Sequence, residues 1–383
     1  MKRFHKRQIG GLHVLRVQYL IAVLTLALAV PQYSFAQIKL SGGGKYKDRD
    51  AKYVRPFSTF PSLVRLGNGT LLCYDRASSD GGKTWHRHKD FGFPLADATR
   101  RRRGSITTLK DGTVLLVGRY THRHERKPNV YVAEIYRSRN NFGGYTGPKR
   151  AMIHLPNVVA GTDEYGMPVS GPMFEQTIVE LPGGDLVASM WGWFASDQTP
   201  SGYPDLWKKW QLKKSRAFLI RSKDRGRTWH YVSTIAADPK TGPEGFRLPS
   251  LGLLPDGQLL CLLRNGDGDR PLLLTRSKGD YTRWEKPKAL DARAVYGQLL
   301  VLSDGTVLLA YGKPLYIVAS DDGGRTWQTK TKMNIGTRTG QAFIGRIALA
   351  EVSPGKVVCV YHDVLDLLSR VLTVSKSSNS RKE

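Results

Sequence analysis

The sequence predicts an all-β fold, a six-bladed β-propeller whose first blade is truncated. Three observations carry this expectation. Turn glycines recur six times between apolar runs, at Gly69, Gly112, Gly184, Gly257, Gly305 and Gly355. A second turn, Ser-x-Asp-x-Gly-x-Thr-Trp, interleaves with the first. No Pro/Ser-rich linker or low-complexity tract divides the chain, so one domain of repeated hairpins is expected.

From the N-terminus, residues 1–36 read as an export signal. Lys2, Arg3, Lys6, Arg7 and Arg16 form a basic start, Tyr19 to Val30 is apolar, and Ser34 and Ala36 are small residues before Gln37. The apolar run is shorter than the about 20 residues a membrane helix needs. A secreted or periplasmic protein is expected, with no stable membrane insertion after cleavage. The expected boundaries are 1–36 for the signal, 37–50 for an N-terminal segment, 51–375 for the propeller and 376–383 for a polar tail.

Charge narrows the partner. Removing the five basic residues of the signal from the formal charge of +27 leaves +22. Such a field attracts anions. Export, and the absence of zinc-ligand spacing or a nucleic-acid motif, argue against nucleic acid and favour an acidic glycan. No motif implies a metal or a cofactor. Oligomeric state is not encoded in any pattern. Three cysteines, Cys73, Cys261 and Cys359, each follow a turn glycine by four residues. They are expected at equivalent buried strand positions and not in disulfides.

The first turn reads Leu-Gly-Asn-Gly-Thr-Leu-Leu at 66–72 and Leu-Ser-Asp-Gly-Thr-Val-Leu at 302–308. Asn-Gly and Asp-Gly between apolar runs are strong hairpin signals, because both residues tolerate positive φ. The second turn occurs in full at Ser78 to Trp85, Ser222 to Trp229 and Ser320 to Trp327, with degenerate copies at Ser138 to Tyr145 and Ser277 to Trp284. Its Asp can accept bonds from turn amides, its Gly allows a left-handed backbone, and its Trp can pack between sheets.

This second turn resembles the Asp box of the sialidase (neuraminidase) superfamily, the BNR repeat. The resemblance covers about residues 50 to 365. It implies four-stranded blades around an axis, with the Asp box joining outer strands away from any active site. Asp80, Asp224 and Asp322 are therefore expected to be structural.

Propeller ligands bind where inner strands converge. The residue nine before each turn glycine gives the series Phe60, Arg103, Glu175, Leu248, Tyr296 and Arg346, with Arg102 and Arg247 beside it. An Arg fork pairs a carboxylate or sulfate with two parallel hydrogen bonds. Arg102, Arg103, Arg247 and Arg346 are the expected acid-group binders. Glu175 beside Tyr296 could form a base–phenol pair, since a Tyr activated by a carboxylate can attack an anomeric carbon.

The resemblance has departures. Glu175-Gln-Thr-Ile-Val-Glu-Leu looks like the family's strand bearing the activating Glu, but Trp191 stands where a substrate Arg is implied. Thr59-Phe60-Pro61 lacks the opening Arg of the family, and the closing Tyr nucleophile falls near Arg346. Blade one has only nine residues between Gly69 and Ser78, which suggests a lost strand. The region implied to hold the acid/base Asp starts at Asp75-Arg76 and then departs, leaving Asp97 as the nearest substitute.

Two stretches look like walls of a site. Residues 191–216 combine Trp191, Trp193, Phe194, Tyr203, Trp207 and Trp210 with four lysines and are expected to be a long loop that stacks on sugar rings. In Thr121 to Lys127, His122 and His124 alternate and could serve as acid/base groups, or form a solvated hairpin tip. The leading expectation is an exo-sialidase-type glycoside hydrolase acting on terminal acidic sugars. A lyase acting on a uronic or sulfated glycan, or a non-catalytic acidic-glycan-binding propeller, would share the scaffold.

Overall fold

The computed structural model describes residues 37–42, 52–56, 62–88, 104–162, 168–202, 211–266, 268–312, 315–334, 347–363 and 366–377. The proposed export signal lies outside them.

The described residues fold mainly into strands. Strands β1 (Gln37–Ser41) and β2 (Lys52–Pro56) come first. The first blade is β3 (Leu63–Arg65), β4 (Leu71–Cys73), β5 (Arg76–Ser78) and β6 (His86–Arg87). The second contains β7 (Gly104–Thr108), β8 (Val114–Gly118), the short β9 (His122–Arg123), β10 (Val130–Ser138) and β11 (Tyr145–His154). After β12 (Val158–Thr162) and β13 (Pro168–Val169), the third is β14 (Met173–Glu180), β15 (Leu186–Phe194), β16 (Arg216–Ser222) and β17 (Thr228–Ala236). The fourth is β18 (Arg247–Leu253), β19 (Leu259–Arg264) and β20 (Pro271–Lys278), edged by β21 (Arg283–Trp284) and β22 (Lys288–Arg293). The fifth is β23 (Gly297–Val301), β24 (Val307–Tyr311), β25 (Tyr316–Ser320) and β26 (Gln328–Asn334). The last is β27 (Ile347–Ser353), β28 (Lys356–Asp363) and β29 (Asp366–Ser377).

Hydrogen bonding alone divides the described strands into five sheets. The largest holds two antiparallel meanders, joined where Met152–His154 of β11 run parallel to Thr228–His230 of β17. The first strands of the meanders form a ring: β3 meets β7, β7 meets β14, then β18, β23 and β27 follow, and β27 returns to β3. Apolar clusters fill the gap between each consecutive pair of meanders. Strand alternation makes this possible. A strand inside a blade buries both faces, one against each neighbour, as in the fully buried β15 and β24. The N-terminal stretch takes part: Gln37–Ser41 pairs with Thr373–Ser377, adding an outer strand to the last sheet.

The expected loss of a strand in the first blade is not observed. Four strands are present, in the order β3-β4-β5-β6. They fit because each has three residues or fewer. Cys73 pairs directly with Arg76, so Tyr74 and Asp75 alone make the turn, with Tyr74 at φ 53°. A two-residue hairpin with positive φ closes in the shortest possible length.

Each Asp box forms the same local net. Asp80 Oδ1 accepts from Ser78 Oγ at 2.8 Å and from the amides of Lys83 and Thr84 at 3.0 Å, while Thr84 Oγ1 donates to Oδ2 at 2.6 Å. Asp224 and Asp322 repeat the pattern. Desolvation pushes Asp80 up, but the bonds from Thr84, Ser78 and Lys83 outweigh it and hold the carboxyl at about 2. The box tryptophans pin blades together. Trp85 Nε1 donates to Ser369 Oγ of the last blade at 2.8 Å, and Trp284 Nε1 to Ser233 Oγ of the third at 3.0 Å. Trp229 is fully buried and meets Phe174 edge-on, centroids 5.3 Å apart. The three cysteines are buried on β4, β19 and β28. Burial raises the Cys359 thiol to about 12.

Candidate functional site

The ring of inner strands has two ends. At the end nearer the hairpin turns, all six inner strands line a central cavity of 480 Å³ whose walls mix aliphatic residues such as Ile178, Leu251 and Leu299 with polar ones such as Arg65, Glu180, Gln298 and Glu351. A buried set of charged and aromatic groups gathers at the opposite end. There Glu175, Leu248, Pro249, Tyr296 and Ile347 surround a small cavity of 20 Å³. Glu175, Leu248 and Tyr296 are three members of the series nine residues before a turn glycine, so a common register brings them to one place. Sheet geometry explains this: equal distance from equivalent turns puts side chains at equal height along neighbouring strands.

Glu175 is buried on β14. Its Oε2 accepts from the Trp191 indole N–H at 3.0 Å and lies 3.4 Å from Arg119 Nη2. Ser105 Oγ on β7 donates to the Glu175 backbone carbonyl, fixing the strand from the adjacent blade. The pairing of β14 with β15 shifts register between Phe174 and Ile178, and this irregularity brackets Glu175. A bulge re-aims a side chain out of the regular alternation.

Trp191 links the carboxylate to a second charged group. It is fully buried, and the Arg247 guanidinium lies 4.3 Å from the centre of its ring. A guanidinium over an indole face is attracted by the ring quadrupole. Arg247 Nη1 also donates to Glu244 Oε2 at 2.6 Å, and Arg264 Nε sits 2.6 Å from Glu244 Oε1. Among the described residues, three guanidinium groups thus meet two buried carboxylates. Leu248 next to this net holds φ at 49°, inside a register shift between Arg247 and Ser250. A left-handed Leu costs about 1–3 kcal/mol, the kind of strain that neighbouring contacts must hold in place.

The expected site is therefore partly assembled among the described residues. Glu175, Tyr296, Trp191 and Arg247 come together, and Tyr296 packs on the Met173, Trp191 and Leu248 cluster. Asp97, Arg102, Arg103, Arg346 and Phe60 lie outside the described residues. Trp191 takes a different part from the one expected. It belongs to β15, with Trp193 and Phe194, not to an open loop. Its buried ring supports Arg247 and its N–H holds Glu175, which leaves no face for stacking on a sugar. Tyr203, Trp207 and Trp210 are outside the described residues. In the other stretch, His122 lies on the short β9, and His124 Nδ1 accepts from the amides of Arg126 and Lys127 at 3.0 and 3.2 Å, as a hairpin tip does.

Arg119, Glu244 and Arg264 were not singled out from the sequence. Two of them carry a signal that could have found them. Arg119, Trp191 and Arg264 each stand seven residues after a turn glycine, at Gly112, Gly184 and Gly257. The same count that finds the inner-strand ring finds a second ring on the returning strands. Glu244 has no such signal, because it lies in the segment before β18.

Comparison with known proteins agrees with this architecture. A protein of unknown function from Dyadobacter fermentans superposes with a TM-score of 0.62 at 16% identity, covering 88% of this chain and 99% of that one. Hadza microbial sialidase Hz136 gives a TM-score of 0.57 at 14% identity, covering 83% of this chain and 65% of that one. The Penicillium chrysogenum alpha-L-arabinanase, complexed with arabinobiose, gives 0.55 at 14% identity, covering 85% and 98%. Identities this low establish a shared fold. No curated protein matches the sequence. The family model described as BNR repeat-like domain matches residues 163–362, from before β14 through β28, which is more than half of the chain. With its Asp boxes, its ring of inner strands and this match, the chain belongs to the BNR repeat-like domain family and is a β-propeller.

Proposed function

We propose that this protein is an exported glycoside hydrolase that removes a terminal acidic sugar, in the manner of an exo-sialidase. The observation that carries this reading is the buried Glu175, held by Trp191 and Arg119 beside the cavity it shares with Tyr296. Such a carboxylate can take the proton of a neighbouring phenol as the phenol oxygen bonds to the anomeric carbon; the glycosidic bond breaks, the aglycone leaves with a proton from an acid or water, and water then cleaves the glycosyl-enzyme. Arg247, fixed by Trp191 and Glu244, supplies positive charge at the same end of the ring for the sugar's acid group.

A fluorogenic sialoside, tested beside an arabinofuranoside and a uronic-acid polymer, checks the reading. Turnover of the sialoside should fall about 1,000-fold in Glu175→Gln, as expected when an activating base is lost. Turnover of the arabinofuranoside alone would overturn the acidic-sugar specificity, and absorbance growth on the uronic polymer would identify a lyase. A second reading, acidic-glycan binding without cleavage, is favoured by one feature: the cavity between Glu175 and Tyr296 measures only 20 Å³. Binding that survives Glu175→Gln with no turnover in either protein would decide for it.

A further inference from the structure

The molecule carries a second charged concavity on its rim. Residues of β10, the Ser138–Tyr145 hairpin, β11 and the third blade's Asp box surround a groove of 700 Å³. Its walls include Arg137, Arg139, Lys149, Arg150 and Arg227, and none of its lining residues is acidic. It is remote from Glu175 in two directions. β10 and β11 are the outer strands of their blade. Ser138 pairs with Val114, just past the Gly112 turn, whereas Glu175 stands near the start of β14, at the end away from the turns.

The acids around the groove are already engaged or point elsewhere. Glu125 pairs with Arg150, Asp111 lies 2.5 Å from Arg225, and Glu134 accepts from the Tyr136 hydroxyl at 2.9 Å. Asp224 is bound up in its own box. Among the described residues no carboxylate pairs with Arg137, Arg139, Lys149 or Arg227. Arg137 is fixed in place, its Nη2 donating to the Arg225 carbonyl at 2.8 Å. Burial is the main cause that lowers the Arg137 guanidinium from its ordinary range; the neighbouring Arg227 and Arg225 add to it and Asp224 opposes it.

One apolar group completes the groove. Tyr145 is exposed at 38%, the one large hydrophobic side chain so exposed among the described residues, and it is braced edge-on by Tyr136. A fixed, exposed ring among cations suits a ligand that alternates flat apolar faces with anionic groups. A pyranose chain bearing carboxylates or sulfates has that alternation. A groove set back between strands suits a chain better than a bilayer surface.

We propose that this groove is a secondary binding site for an anionic polysaccharide, with Tyr145 under a sugar ring and Arg137, Arg139, Lys149 and Arg227 on its acid groups. The site does not depend on Glu175, and it would hold polymer at the rim while the central mouth acts on chain ends.

Fluorescence anisotropy with a labelled oligogalacturonate, on the full chain at physiological salt, tests this. Arg139→Ala/Lys149→Ala should weaken binding about tenfold or more, the scale of lost charge-assisted hydrogen bonds. Lys286→Ala/Lys288→Ala removes the same charge from exposed positions on the fourth blade and should leave binding unchanged. Tyr145→Ala, which changes no charge, should cost about fivefold, the scale of one aromatic contact. Glu175→Gln should bind as the parent does, whatever becomes of turnover. Equal losses in the two double variants would overturn the site in favour of net charge. So would an unaffected Tyr145→Ala variant, or an oligodeoxynucleotide of equal charge binding as tightly, since either would show a generic polyanion surface.

Discussion

The Asp-box hairpins at the rim and the Glu175 mouth at the axis are each built on a carboxylate held by donors, hydroxyls and amides in the boxes and an indole and a guanidinium at the mouth. The donors come from different range. Asp80 is satisfied by Ser78, Lys83 and Thr84, all within four residues. Glu175 is satisfied by Trp191, 16 residues away, and by Arg119, 56 residues away on another blade. The difference teaches where chemistry can sit in this fold. A box carboxylate is saturated by its own turn and holds shape. The mouth carboxylate depends on the ring closing and faces a cavity.

The sharpest way to break the comparison is to damage each region alone. Trp229→Ala empties a buried site between the second and third blades and should cost about 3–5 kcal/mol of stability. Thermal unfolding should show a large drop in Tm, while the protein that remains folded keeps its ligand specificity. A drop of similar size for the half-buried Trp85→Ala would show that burial does not set the rank.

A smaller effect is expected at the mouth. Arg247→Lys keeps the charge but loses the planar fork that both stacks on Trp191 and reaches Glu244. If Arg247 acts on the sugar's acid group, KM should rise about tenfold with Tm little changed. A fall in Tm without a change in KM would make Arg247 a structural group.

The smallest effect concerns acid. The box carboxyls are lowered in the folded protein, Asp80 to about 2, so they bind protons more readily when the chain is unfolded. Their contribution is fully present above the unfolded value of about 3.9 and is lost as pH falls through the folded one. Tm should therefore decline between about pH 4 and pH 2, and Asp80→Asn should flatten that decline slightly. An unchanged slope would show that Asp80's hydrogen bonds are matched in the unfolded chain.

Much of the architecture was legible because it is local. A turn glycine needs positive φ, an Asp box closes within four residues, and both leave marks in the sequence. Counting back from the glycines reached Glu175, Leu248 and Tyr296 because sheet register converts sequence distance into height. The same argument failed for the first blade. A nine-residue interval looked too short for two strands, but a Tyr at φ 53° allows a two-residue turn. It also failed for Trp191, whose aromatic neighbours suggested an exposed loop but whose place in β15 buries it.

By itself, the sequence determined the repeat, the hairpins, the buried cysteines and the height of three site residues, since each follows from distances along one chain. Only the tertiary structure decided that Arg119 meets Glu175, that Arg247 rests on Trp191 against Glu244, and that Tyr145 stands among the rim cations. Arg119 with Glu175, Arg247 with Trp191, and Arg227 with the β10–β11 groove join different blades, and which side chains face one another there depends on how the sheets pack into a ring. No local spacing records that.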